Sequence, residues 1–259
     1  MPNLIPTSLA ALVLLILVHV ATPSLKFLEG TPRTVWLSVA GGVSVAYVFV
    51  HFLPELAASQ EAVAAAAGEL TGGLALAERH VFLIALAGLL TFYGLDRLAK
   101  ISRARQQGAP VPGGRAPDNR VSAPTSLRVF WIHMASFAAY NLITGYLLLH
   151  REVMTPMALA FFAIAMALHF LVTDYGLNED HKAPYRRIGR WLLAAAVAGG
   201  WVLGLVTELP EAGVAALTAF LGGGVVLNVL KEEVPSERQS RFWAFAGGAA
   251  GYAALLLTL

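Results

Sequence analysis

Cysteine is absent from the 259-residue chain, which excludes disulfides, thiolate metal sites and cysteine nucleophiles while leaving the redox compartment open. Charge is scarce: 13% of the residues are Asp, Glu, Lys or Arg, against roughly 25% in soluble domains. The net charge of +2 is too small a surplus to argue for nucleic acid. Catalytic signatures are missing as well, with no G-x-S-x-G, no H-E-x-x-H and no P-loop. An intramembrane hydrolase needs a pair of acidic or nucleophilic groups at depth, and Asp174 alone qualifies clearly. No enzyme is expected.

What the chain has in quantity is apolar length. Hydrophobic residues make up 57% of it, gathered in runs near the ~20 residues that cross a bilayer. The expected class is an all-α polytopic membrane protein. Eight spans are expected, near 4–20, 35–53, 81–98, 129–149, 157–174, 191–206, 212–230 and 242–257. The first lacks a basic n-region and reads as a retained helix rather than a signal peptide. An Ala-rich stretch, 61–77, carries Glu61 and Glu69 and reads as an exposed or interfacial segment.

The one clear linker, QQGAPVPGGRAPDNRVSAP, is rich in Gly and Pro and has no apolar period. It divides a single membrane domain into three spans (1–105), the linker (106–125) and five further spans that hold the candidate site (126–259). If alternate loops share a side, all of the 18 Lys and Arg except Arg79 and Arg151 fall on the linker's side. The positive-inside rule then makes the linker cytoplasmic and puts both termini outside. A weak internal repeat accompanies this: Gly42 precedes Pro54 by the interval that separates Gly223 from Pro235, in GGVSVAYVFVHFLPEL and GGGVVLNVLKEEVP. Spans so related run in opposite directions, the pattern of an inverted-topology repeat, although small residues also recur wherever membrane helices pack closely.

Two spans carry polar residues where lipid would penalise them. An ionisable side chain in a bilayer costs on the order of 2.5–3.5 kcal/mol on insertion scales, so it normally faces a protein interior. The fourth span, VFWIHMASFAAYNLITGYLLL, sets His133, Phe137, Tyr140, Asn141 and Thr144 on one helical stripe. The fifth, MALAFFAIAMALHFLVTDYG, sets His169 and Thr173 on one face with Asp174 about 100° further round. Amide and carboxylate oxygens with an imidazole nitrogen suit a borderline divalent ion such as Zn²⁺, Fe²⁺ or Mn²⁺. The alternative is an interhelical hydrogen-bond network that serves packing alone. His51 and Glu55, four apart at the outer end of the second span, are a candidate cation entrance, or simply headgroup-level side chains. Glu208 and Glu211, and Glu232 and Glu233, invite the same two readings; His19, His80, His150 and His181 read as structural or solvated.

The fourth and fifth spans resemble a pair found in the ZIP family of zinc and iron permeases, whose fourth span carries H-N-x-x-[DE]-G and whose fifth carries H-E-x-P-x-E-x-G. Here Asn141 and Gly145 match in the first motif, and His169 and Gly176 in the second, with Asp174 standing in for the second acidic residue. HFLPEL in the second span and GGGVVLNVLKEEVP in the seventh are similar to the family's corresponding spans. The resemblance implies an eight-helix bundle with a metal site midway across it. Tyr140, Thr144, Phe170 and Val172 replace the family's histidine, acid, glutamate and proline. Tyr and Thr are poor neutral ligands for a transition metal, and Phe is none. The implied site is therefore reduced to a single ion held by Asn141, His169 and Asp174, with Thr173 or His133 as further ligands.

The functional expectation is a ZIP-like divalent cation permease, passive or proton-linked. The alternative is a transport-inactive relative with an interaction or regulatory role. The expected setting is the bacterial inner membrane. The expected partners are lipid, a divalent cation as substrate and, as an option, a second copy in a homodimer; no nucleic acid and no tightly held cofactor are expected.

Overall fold

The computed structural model describes residues 4–28, 34–60, 80–106, 127–150, 155–229 and 241–258. The Ala-rich stretch 61–77, linker residues 107–125, Glu232 and Glu233, and the side chain of His80 lie outside the described residues.

Among the described residues the secondary structure is helical throughout, without strands. The order is α1 (Ile5–Ala21), α2 (Val35–Tyr47), α3 (His80–Gln106), α4 (Leu127–Leu147), α5 (Pro156–His181), α6 (Arg190–Val206), α7 (Glu211–Asn228) and α8 (Phe242–Leu256). Two of these starts are plain in the sequence. Thr34 caps α2 by accepting from the Leu37 amide, and Thr155 caps α5 by accepting from that of Ala158, with Pro156 at the first turn. Helix α2 continues through a π-helical turn (Val48–Phe52) into a short helix (Leu53–Ala58). A second π-helical turn (Tyr185–Gly189) leads into α6. Five rods are long and apolar enough to cross a bilayer: Ile5–Ser24, Val35–Ala58, Pro156–His181, Tyr185–Val206 and Glu211–Asn228.

The distribution of polarity is that of a bundle in lipid. On α1, Ile5, Leu9, Val13 and Leu17 form an exposed stripe at four-residue spacing, while Ser8 and His19 are fully buried. Trp243 is 85% exposed and Val206 74%, whereas Asn141, Thr144 and Asp174 lie within 1% of complete burial. Apolar side chains outside and hydrogen-bonding ones inside suit a hydrocarbon solvent.

Three helix pairs share one close-packed geometry. A Cβ on Gly42 of α2 would strike the carbonyl of Phe245 on α8, and one on Gly248 would strike that of Val39. The same reciprocal contact joins Gly88 of α3 to Phe220 and Gly223 of α7 to Ala85, and again joins Gly145 of α4 to Val197 and Gly200 of α6 to Leu142. Each glycine lets a backbone approach to a distance no other residue permits. Gly42 and Gly223, equivalent in the sequence repeat, therefore make equivalent contacts, one with α8 and the other with α3. Helix α1 packs along α5 and α6 and completes the walls around the polar interior.

The ends of the bundle are fixed by polar ties. Arg190, at the start of α6, donates to the Val20 carbonyl near the end of α1 (3.3 Å). Trp201, further along α6, donates to Ser8 near the start of α1 (3.2 Å). The end that gathers Lys26, Arg186, Arg187 and Arg190 is here called the basic end.

Candidate functional site

The residue that assembles the polar interior is His19. It stands in the last turn of α1, fully buried, between α4 and α5. Its Nδ1 is 2.7 Å from Asp174 Oδ2 and its Nε2 is 2.7 Å from Asn141 Oδ1. Asn141 Nδ2 donates to the Phe137 carbonyl one turn back (2.8 Å), which assigns its oxygen to the His19 side. His19 Nε2 is thus the donor to Asn141. Both ring nitrogens face acceptors, so a further proton lies in the contact with Asp174. Imidazolium with carboxylate, and imidazole with carboxylic acid, hold the same number of protons there.

Around this triad several polar atoms have no hydrogen-bond partner among the described residues: Asp174 Oδ1, Thr173 Oγ1, Tyr185 OH and Arg190 Nε. Tyr185 OH stands near enough to the Asp174 carboxylate to interact with it, but falls short of hydrogen-bond geometry. A buried polar group left unpaired costs about 1–3 kcal/mol.

Asn141 and Asp174, expected to share a site, are brought together through His19. Thr173 is buried beside Asp174 on α5. His169 is also buried, with its ring tilted against those of Tyr140 (5.8 Å) and Phe170 (6.0 Å). Phe170 lies 4.8 Å from the His19 ring. His133 stands apart from the triad, its Nδ1 2.9 Å from His181 Nε2. At the far end of α2, the π-helical turn sets His51 Nε2 3.8 Å from Glu55 Oε2, beside Tyr47; such turns are frequent at functional sites. Glu208 and Glu211 are exposed. Among the described residues, no three His, Asp or Glu side chains converge as a metal-binding group.

Sequence reading missed His19 and His181. They read as structural or solvated; both are buried, His19 in the last turn of α1 against α4 and α5, and His181 because α5 runs on past Asp174. His150, by contrast, is a tie between elements, bonded to the Gly204 carbonyl (2.8 Å).

Fold and interior, helical throughout the described residues, together have the features of the integral-membrane class. The sequence matches no protein-family model and none of the curated proteins with which it was compared.

Proposed function

We propose that the protein is a proton-linked permease for a divalent cation, an eight-span bundle similar to ZIP permeases, with both termini outside, in the bacterial inner membrane. The observation that supports this best is the buried Asp174 carboxylate. One oxygen shares a proton with His19, and the other has no hydrogen-bond partner among the described residues. A cation arriving at Asp174 displaces that proton, and the freed lone pair of His19 Nδ1 joins the carboxylate as a ligand while Nε2–H keeps its bond to Asn141 and holds the ring in place. Reprotonation of the pair releases the ion. His51 and Glu55 stand at the opposite end, as an entrance requires.

One observation favours the second reading, a transport-inactive membrane protein with an interaction or regulatory role. His19 already engages both Asn141 and Asp174, as a tethered cation would, and Tyr140 and Phe170 pack against each other where the family has ligands.

Calorimetric titration of the purified protein with Zn²⁺, Mn²⁺ and Fe²⁺, in two buffers of different ionisation enthalpy, separates the readings. The permease predicts a binding event coupled to proton release that Asp174→Asn removes, whatever other binding that variant keeps, together with uptake into proteoliposomes that Asp174→Asn abolishes. Uptake unchanged in that variant rules the permease out. Wild-type protein that binds none of the three ions leaves the tethered-cation reading.

A further inference from the structure

We propose that His133 and His181 form a second cation site, a two-histidine clamp for a borderline divalent ion of the Zn²⁺, Co²⁺ or Ni²⁺ kind. It lies at the basic end of the bundle, apart from the His19 triad. His133 is in the second turn of α4 and His181 is the last residue of α5. Their facing nitrogens are 2.9 Å apart and their rings nearly perpendicular, at 77°. In such a pair one nitrogen carries the proton and the other turns its lone pair toward it. An ion that takes the proton's place meets two lone pairs already converging.

The geometry needs little adjustment. Two imidazoles bound to one tetrahedral zinc ion hold their nitrogens about 3.4 Å apart, so the rings part by about half an ångström. Imidazole is a ligand that these ions share, and water completes the set. Both side chains are buried, and Phe130 sets its ring edge-on to His181 at 5.4 Å. That apolar wall limits the rings' freedom and favours a pre-organised clamp.

Position distinguishes the clamp from a simple tie between helices. Asn141 is eight residues past His133 on α4, and Asp174 is seven before His181 on α5. The pair therefore lies along the same two helices, about 10–12 Å from the triad and beyond the buried Asn178, which accepts from Arg186. The triad offers a carboxylate, whereas the clamp offers neutral nitrogens, which hold a cation without a countercharge and exchange it readily. As a place of release the clamp rests on the permease reading; as a binding site it does not.

The test uses the full chain in detergent. Co²⁺ is followed by its visible spectrum and Zn²⁺ by the rise it causes in melting temperature, for wild type, His133→Gln, His181→Gln and Asp174→Asn. Both histidine variants are expected to weaken one binding event at least about tenfold, and Asp174→Asn to retain it. Wild-type protein that binds neither ion, or binding unchanged in both histidine variants, overturns the clamp. Should those variants fail to fold, ¹⁵N-histidine spectra of the wild type decide: Zn²⁺ must shift the His133 and His181 signals, and unmoved signals overturn the proposal. Loss of uptake in Asp174→Asn tests the permease separately, so either idea can fail alone.

Discussion

At the scale of single residues, the interior is held by partners remote in sequence. His19 finds Asn141 across 122 positions and Asp174 across 155. Helical periodicity reports one helix at a time, so the polar residues of α4 and α5 could be picked out as intramembrane, while a lone histidine near the end of α1 read as structural or solvated. Removing it leaves two buried acceptors without their donor. His19→Ala should destabilise the fold by about 3–5 kcal/mol, the usual cost of breaking a buried pair. Millimolar imidazole should raise the melting temperature of that variant and leave wild type unmoved; a variant that melts like wild type would show that the bridge contributes nothing. Lys182 makes a second case. Its φ of 43° and ψ of −109° suit glycine and strain any other residue, at about 1–3 kcal/mol. Lys182→Gly should stabilise the fold by about 1 kcal/mol after the extra entropy lost by glycine, as a higher midpoint in thermal unfolding. No pattern around Lys182 announced that conformation.

Between elements, glycine sets the spacing. The sequence displayed the match of Gly42 with Gly223, and these residues open two of the three close seams, against α8 and α3. The third seam, Gly145 with Gly200, was not legible because neither glycine belongs to that repeat. Both π-helical turns were equally hidden, since an extra residue in a turn changes no local composition. A methyl group in a seam meets backbone, which cannot rotate away as a side chain can. Gly200→Ala should therefore cost about 1–3 kcal/mol or more, the range for overpacking. Gly247→Ala on α8, where nothing lies within 4 Å, should stay within about 0.5 kcal/mol of wild type. Thermal unfolding of the two variants in one detergent checks this, and equal losses would mean that the seams are not as close as described.

For the whole molecule, the legible part was the solvent. Apolar runs, scarce charge and the stripe of Ile5, Leu9, Val13 and Leu17 facing outward all follow from a chain whose exterior meets hydrocarbon. Direction across the membrane is a separate matter, because packing inside the bundle is the same whichever way it is inserted. Direction depends instead on the Lys and Arg that flank the helices, which the eight-span reading of the sequence gathers onto one side. The chain has no cysteine, so a single introduced thiol reports its own side with no background. In intact cells Asn119→Cys, in the linker, should resist a membrane-impermeant maleimide until the membrane is opened. Glu208→Cys, exposed just past α6, should react at once. The reverse pattern would invert the bundle, and with it the assignment of His51 and Glu55 to the entrance and of His133 and His181 to the release side. The His19–Asp174–Asn141 bridge would stand unchanged, since its bonds depend on which helices meet and not on which face of the membrane they point toward.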